Sequence, residues 1–277
     1  MLRLAMAVPQ RWQPPRPHAV FQRTDEVPDK MTAARKRVLE AMEDMPPLSQ
    51  ADIIERAGVS ASVIKGLVEQ GAVLRLEIVG GPRVKQPDLS IIGPTLNDEQ
   101  QSAAKTLCAA VDDGFSVTLL EGVTGSGKTE TYFEAVATAL KRGKQVLILL
   151  PEIALTAQFF DRFEKRFGAP PTEWHSDLSP TQRRDNWQAV TNGDAKVIVG
   201  ARSSLFLPFP DLGLIVVDEE HDDSFKQQDG FKYNARDISI VRAQSENIPV
   251  ILGSATPSLE SLNNAITGRY KHLYLRE

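Results

Sequence analysis

Cysteine is almost missing from the sequence, and its scarcity excludes two kinds of protein. Cys108 is the single cysteine among the 277 residues, so neither a disulfide framework nor a paired-cysteine zinc site can form within them. We expect Cys108 to be a small buried residue on a helix, without a functional role. A chain without disulfides is typical of the cytoplasm, and we therefore expect a cytoplasmic protein.

Long apolar runs and a basic excess are missing too. No run of 18 apolar residues is present to span a bilayer, and residues 1–9 lack the apolar stretch and cleavage site of a secretory signal. The 32 Lys and Arg stand against 36 Asp and Glu, a net charge of -4, so no basic field covers the whole molecule. No membrane partner is expected, and any binding of nucleic acid must be local.

The length and the distribution of proline predict two domains after an extended arm. A chain of 277 residues can bury one large core and a second, small one. Residues 1–30 contain five prolines and no sustained apolar period, which indicates an extended arm or linker. We place a small domain at residues 31–90 and a larger one at residues 95–277.

Helical spacing of apolar residues and capping patterns predict three helices in the small domain. The first runs over residues 32–42. Ser49 and Asp52 form a capping-box pattern that begins the second helix, which ends at Ala57. Ser60 is a candidate cap for the third helix.

Two β-prone runs follow the third helix, which ends before Gly71. They cover residues 73–79 and 83–85. Helices followed by a hairpin in this order are the outline of a winged-helix module. Lys65 is the only basic residue of the third helix, so the module is interpreted either as an architectural spacer or as a DNA-binding element.

Short apolar runs alternate with amphipathic helices in the larger domain. Strands covered on both faces read as continuous apolar runs, so this alternation predicts an α/β fold with a wound parallel sheet. The predicted strands are residues 116–120, 145–150, 196–200, 214–218 and 249–254, and the predicted helices are residues 129–141, 156–167, 181–190 and 235–245.

A glycine-rich segment fits the phosphate-binding pattern G-x-x-x-x-G-K-[ST] and lies between a predicted strand and a predicted helix. Its backbone amides can surround phosphates, Lys128 can reach the terminal phosphates, and the Thr129 hydroxyl can bind magnesium. The alternative is a glycine turn with a surface lysine. The candidate ATP-binding residues here are Gly122, Thr124, Gly125, Ser126, Gly127, Lys128 and Thr129.

An apolar strand pattern at residues 214–217 is followed directly by three carboxylates. Clustered negative charge at a buried strand end is costly unless a cation offsets it. Asp218 is a candidate magnesium ligand, and Glu219 is a candidate for orienting and deprotonating the attacking water. The alternative is a solvated acidic loop.

His221 follows the carboxylates, and Ser254 and Thr256 follow another predicted strand. Because the carboxyl ends of parallel strands share one edge, these side chains are candidates for a relay that couples two sites. The alternatives are a surface histidine in an ion pair and a simple helix cap.

Residues 224–236 alternate aromatic and basic side chains. Single-stranded nucleic acid stacks its bases on aromatic rings and is held by cations along its backbone, so the segment is interpreted as a DNA-binding loop. Packing of the rings into the core is the alternative. The candidate DNA contacts are Phe225, Lys226, Phe231, Tyr233 and Arg236.

Taken in order, seven segments resemble motifs of the superfamily 2 helicases, and within them those of the primosomal DNA helicases of replication restart. The likeness is specific from residue 96 onward and looser over residues 32–84. The segments are residues 96–100, 122–130, 150–156, 200–204, 218–221, 226–228 and 253–257.

The resemblance implies a RecA-like lobe that uses ATP and Mg²⁺. It implies that Gln100 reads the adenine, that Thr156 and Arg202 contact the DNA backbone, and that the loop 225–233 links DNA binding to ATP hydrolysis. It further implies 3′-to-5′ translocation on single-stranded and branched DNA, replication restart at stalled forks, and partnership with single-stranded DNA-binding protein and other primosome proteins.

Three departures from the family are expected to matter. Residues 1–30 do not resemble its complete N-terminal domain, and neither its zinc-binding cysteines nor a second motor lobe is found up to residue 277. We therefore expect weak nucleotide binding and little turnover, because in such motors a second lobe supplies an arginine. The rival interpretations are another superfamily 2 motor, acting on RNA or in restriction, and a nucleotide-gated DNA-binding module.

Overall fold

The structure, a computed structural model, describes residues 18–43, 45–78, 84–228 and 230–276. The chain divides between Gly81 and Pro82 into two units with separate cores. No helix in the described ranges is long and apolar enough to cross a bilayer.

The smaller unit combines helices with a short antiparallel sheet. Its elements are β1 (His18–Arg23), α1 (Ala33–Ala41), β2 (Leu48–Ser49), α2 (Gln50–Ala57), α3 (Ala61–Glu69) and β3 (Val73–Ile78). The strand order is β2-β1-β3, and both pairings of β1 are antiparallel. The fully buried Val38, Ile53 and Leu67, one from each helix, pack in one core.

The capping of α2 is confirmed in detail. Ser49 accepts a hydrogen bond from the amide of Asp52, whose carboxylate accepts one from the amide of Ser49. Ser60 does occupy the cap position of α3, but its hydroxyl is bonded to that of Ser62 and makes no capping bond. The predicted position of the cap is therefore confirmed, but the side-chain hydrogen bond expected of a cap is not formed.

Of the expected extended arm, residues 1–30, the first 17 lie outside the described residues. Over His18–Arg23 the expectation is corrected by β1, which is the central strand of the small sheet. Its partner β3 lies about fifty residues further along the chain, and a pairing between distant segments leaves no local signal. Of the expected strand 83–85, residue 83 lies outside the described residues, and Val84 and Lys85 are not in a strand.

The strands of the larger unit are, in chain order, β4 (Ser116–Gly122), β5 (Gln145–Leu149), β6 (Thr172–Trp174), β7 (Val197–Gly200), β8 (Leu212–Val217), β9 (Lys226–Gln227), β10 (Tyr233–Asn234), β11 (Pro249–Ser254) and β12 (Lys271–Leu275). Seven of them form a parallel sheet in the order β12-β4-β11-β8-β5-β7-β6. Because all seven point the same way, their carboxyl ends share one edge. β9 and β10 form a separate antiparallel hairpin.

The helices of this unit are α4 (Asp98–Asp113), α5 (Lys128–Lys141), α6 (Ala157–Phe167), α7 (Pro180–Thr191), α8 (Ala235–Glu246) and α9 (Leu259–Ile266). Cys108 is half-buried on α4, so it is on a helix as predicted but less buried.

The core lies on both faces of the sheet because successive residues of a strand point to opposite sides. Along β5, Val146 and Ile148 pack into one cluster, while Leu147 and Leu149 pack into the other. All four side chains are fully buried, as expected for a parallel sheet covered by helices.

The predicted α/β fold class is confirmed. The five predicted strands and four predicted helices of the larger domain are all present, with ends that differ by at most two residues. The elements not predicted are α4, β6, the two-residue strands β9 and β10, α9 and β12. β6 has only three residues, and β12 has exposed side chains on an edge strand, so neither has a continuous apolar run.

Candidate functional site

The phosphate-binding motif forms the turn between β4 and α5. Gly125 and Gly127 have left-handed φ values of 86° and 79°, which residues other than glycine rarely adopt. A Cβ on Gly127 would lie only 2.3 Å from Nε2 of Gln100. The sequence therefore needs glycine at this position for both backbone conformation and space.

Lys128 begins α5 and folds back over the turn. Its side chain is buried, and its ammonium donates hydrogen bonds to the carbonyl oxygens of Gly122 at 2.6 Å and Val123 at 3.3 Å. Ser126 is buried in the same turn, and among the described residues its hydroxyl has no hydrogen-bond partner. Thr124 is exposed and Thr129 is half-buried in the first turn of α5.

Gln100 lies against this turn from the first turn of α4. Its Oε1 accepts a hydrogen bond from the amide of Asn97, and its Nε2 donates one to the carbonyl of Ser126. Both ends of the side-chain amide are thus engaged with the protein. The contact links Gln100 to the phosphate-binding turn, and its reading of adenine stays a prediction.

Asp218 directly follows β8, and its side chain is nearly completely buried. Its Oδ2 accepts a hydrogen bond from the Tyr132 hydroxyl at 2.9 Å, and its Oδ1 accepts one from the amide of Glu219 at 3.1 Å. Burial raises the pKa of Asp218 above its ordinary value, although these two donors and the Lys128 ammonium oppose the shift. The same burial, with the neighbouring carboxylate, raises the pKa of Tyr132, so its hydroxyl stays a donor.

Glu219 has a strained backbone at the tip of this strand. Its φ of 51° is left-handed, and Asn247 is the other residue besides glycine with a positive φ in the described ranges. Burial first and the charge of Asp218 second raise the pKa of Glu219, which brings it closer to neutral pH, as suits a general base.

The side chain of Glu220, unlike that of the neighbouring Glu219, is completely buried. Its carboxylate accepts hydrogen bonds from the amide and hydroxyl of Ser258, the hydroxyl of Ser261 and the guanidinium of Arg236 at 3.2 Å. Arg236 is itself 6% exposed. The predicted DNA contact of Arg236 is therefore corrected. Its guanidinium, in the first turn of α8, is already paired with the buried Glu220 carboxylate.

His221 is bonded to the end of β11, as the predicted relay requires. Its Nδ1 lies 2.8 Å from the Ser254 hydroxyl oxygen and 3.7 Å from the Glu219 carboxylate. The Ser254 oxygen also accepts a hydrogen bond from the backbone amide of Thr256, whose own side chain is exposed. The structure thus brings Glu219, His221 and Ser254 together, with Thr256 next to them.

The aromatic segment divides into a buried and an exposed part. Phe225 is 1% exposed in the core against the sheet, so its predicted stacking on DNA is corrected in favour of packing. Phe231 is 53% exposed, and its ring stacks on that of Tyr233 with centroids 6.3 Å apart. Tyr233 in turn packs edge-on against Phe206. Phe231 is the ring best presented for an outside partner.

The remaining predicted DNA contacts lie at the same edge of the sheet. Thr156 is exposed before α6, after β5. Arg202 follows β7 and donates hydrogen bonds to the carbonyls of Ser224 and Lys226 in the aromatic segment. The exposed Lys226 ammonium pairs with Asp223 at 2.8 Å.

These residues fit a magnesium-bound nucleotide. The two left-handed glycines curl the turn before the amino end of α5, whose first amides have no partner within the helix. In the described ranges no three His, Cys, Asp or Glu side chains are grouped to hold a metal alone. Asp218 and Thr129 are the residues that could hold magnesium together with phosphate oxygens, as is usual for this ion.

Sequence reasoning missed Tyr132 and assigned no role to Glu220. The position of Tyr132, one turn after Lys128 on α5, was the one available signal, because residues four apart lie on one helix face. Nothing in the sequence marked which of the three carboxylates would turn inward.

Comparison with known proteins identifies the family of the larger unit. Residues 97–265, more than half of the chain, match the DEAD/DEAH box helicase family. The chain is 51% identical over 181 residues to the replication restart protein PriA of Haemophilus influenzae, covering 65% of this chain and 24% of the relative. The expected resemblance to replication-restart helicases is thereby confirmed.

Further relatives agree. PriA of Bacillus subtilis is 38% identical, covering 82% of this chain and 28% of its own length, and PriA of Synechocystis sp. is 40% identical, covering 91% and 31%. The chain spans about a quarter to a third of the length of the curated relatives it matches. The fold is shared with a structure of RecG bound to a three-way DNA junction, which is 20% identical and gives a TM-score of 0.51. That match covers 71% of this chain and 27% of the RecG chain.

Proposed function

The chain belongs to the DEAD/DEAH box helicase family, and from that premise we propose that it forms the ATP-binding first lobe of a 3′-to-5′ DNA helicase of replication restart. The proposal assigns the larger unit to nucleotide binding and hydrolysis, coupled to DNA on the same edge of the sheet.

One observation carries the proposal. The phosphate-binding turn after β4 and the carboxylates after β8 flank the same central strand, β11, on the same edge of the sheet. Lys128 is near enough to Asp218 and Glu219 to act electrostatically on both. This arrangement supports the proposal that two motifs about ninety residues apart in the sequence form one site.

The side chains divide the proposed chemistry among them. Lys128 and the backbone amides of the turn bind the phosphates, and Thr129 and Asp218 hold the magnesium. Magnesium, when bound, neutralises charge that develops on the phosphates. Glu219 orients the attacking water and accepts its proton, for which its raised pKa is suited.

Coupling to DNA is proposed to run along the carboxyl edge. Thr156 and Arg202 would contact the DNA backbone, and Phe231 would stack on a base. The contact of Arg202 with the aromatic segment and the bond of His221 to Ser254 support a physical connection between these two regions.

The proposal extends to the whole motor. An arginine from a second lobe would complete the ATP site. Single-stranded and branched DNA, single-stranded DNA-binding protein and other primosome proteins are the proposed partners, in the cytoplasm, and the smaller unit is proposed to be a winged-helix domain. The 277 residues alone are expected to bind ATP and to hydrolyse it slowly.

A single-turnover assay tests the proposal. Radiolabelled ATP is mixed with excess protein, with single-stranded DNA, RNA of the same sequence, or neither. We expect DNA to accelerate hydrolysis more than RNA does, and Glu219→Gln to abolish hydrolysis while ATP still binds. Strand displacement by the whole motor, from DNA with either a 3′ or a 5′ tail, then tests the polarity.

Two outcomes would favour the rivals. Stimulation by RNA equal to that by DNA would indicate another superfamily 2 motor. An unchanged DNA response to ATP in Glu219→Gln would indicate a nucleotide-gated binding module, because binding without hydrolysis would then be the output.

A further inference from the structure

Tyr132 contacts Asp218, one of the two side chains proposed to hold magnesium. It is on α5, one turn after Lys128, and its side chain is completely buried. Its hydroxyl donates a hydrogen bond of 2.9 Å to Oδ2 of Asp218. One buried hydroxyl thus connects the phosphate-binding helix to the carboxylate strand.

Packing explains the ring of Tyr132 but not its hydroxyl. The ring packs edge-on against Phe133, with centroids 5.3 Å apart, inside an apolar cluster. Phenylalanine would make the same apolar contacts without a polar atom to bury. A buried hydroxyl is tolerated only where it has a partner, and here its partner is the Asp218 carboxylate.

Both oxygens of the Asp218 carboxylate are held by this arrangement. Oδ1 accepts the Glu219 amide, and Oδ2 accepts the Tyr132 hydroxyl. On the side of Oδ1 the neighbouring strand approaches closely, since a Cβ on Gly253 would lie 2.9 Å from that atom. Contacts on both oxygens therefore restrict the orientation of the carboxylate.

We infer that Tyr132 is a positioning residue that fixes Asp218 in the orientation needed to bind the magnesium of a magnesium–nucleotide complex. The inference rests on the proposed function. Groups that hydrogen-bond metal ligands orient them, and their loss typically lowers metal affinity by about 10- to 100-fold.

Tyr132→Phe tests the inference, with Tyr270→Phe as the matched control. Tyr270 is half-buried directly before β12, at the end of that strand away from Leu275, which pairs with Gly122 of the phosphate-binding turn. Binding of a fluorescent ADP analogue to the 277-residue chain is measured in EDTA and across a MgCl₂ series. We expect Tyr132→Phe to raise the half-saturating magnesium concentration by about 10-fold or more, with ADP affinity in EDTA unchanged.

The two conditions separate positioning from a general structural role. An equal loss of affinity in EDTA and in magnesium, or an unchanged half-saturating concentration, would overturn the inference. If the unsubstituted chain binds no nucleotide, the proposed function itself fails. If that chain responds to magnesium and Tyr132→Phe responds identically, only the inference fails.

A double-mutant cycle keeps the test informative if Tyr132→Phe alone is unstable. In an Asp218→Asn background the hydroxyl has no carboxylate to orient, so adding Tyr132→Phe should not change the magnesium response further. A further loss in the double variant would show that Tyr132 acts independently of Asp218 and would overturn the inference.

Discussion

The buried ion pair between Glu220 and Arg236 gives the most informative prediction about the fold. Sequence reasoning assigned Arg236 to DNA, whereas the structure buries its side chain to 8% exposure against a Glu220 carboxylate that is 0% exposed. Substituting Arg236 by Ala therefore distinguishes a residue that supports the site from one that contacts DNA.

The magnitude follows from the burial. In Arg236→Ala, Glu220 retains its Ser258 and Ser261 donors but loses its countercharge. Removing one partner of a buried pair typically costs about 3–5 kcal/mol of folding free energy. The pair Arg184–Asp185 is the matched control, since Arg184 is 45% exposed, and surface pairs contribute about 0–1 kcal/mol.

Urea unfolding followed by tryptophan fluorescence measures the difference. A Trp12→Phe background leaves Trp174 and Trp187, both in the larger unit, as the reporters. We expect Arg236→Ala to lower the unfolding free energy by about 3–5 kcal/mol and Arg184→Ala by less than about 1 kcal/mol. Unchanged stability with weakened DNA binding would refute this account and restore Arg236 as a DNA contact.

Three further predictions concern the site. Gly127→Ala should weaken ATP binding more than about 10-fold in an equilibrium titration, whereas Gly143→Ala, with a similar φ and open space around it, should not. Phe231→Ala should lower single-stranded DNA affinity by about 1–3 kcal/mol in an anisotropy assay, whereas Phe225→Ala should instead cost about 3–5 kcal/mol of stability. Without metal at neutral pH, Glu219→Gln should raise the melting temperature, because the raised pKa of Glu219 means that its charged form destabilises the folded state. This gain in melting temperature should vanish as the pH falls below the ordinary carboxyl range, where Glu219 is protonated in both the folded and the unfolded state. Glu219→Gly should add about 1 kcal/mol more by relieving the left-handed backbone.

The sequence predicted the elements whose signals are local. Strands β5 and β11 have continuous apolar runs, and the phosphate-binding motif and the capping box of α2 depend on residues close together in the chain. The meeting of His221 with Ser254 also followed from sequence, because parallel strands share a carboxyl edge.

Features that depend on distant partners were not predictable. The strand β1 pairs with β3 across the whole smaller unit. Phe225 and Phe231 are both aromatic residues of one loop, and only the three-dimensional packing buries the first and exposes the second. Likewise, a carboxylate 16 residues away in the chain decides that Arg236 is structural.

The most direct test of the account is a crystal structure of this chain with Mg²⁺ and a non-hydrolysable ATP analogue. We predict the triphosphate in the turn of residues 122–129, with Lys128 on the terminal phosphates and the metal between Thr129 and Asp218. A triphosphate bound elsewhere, or a metal with no direct or water-mediated contact to Asp218, would contradict the central claim.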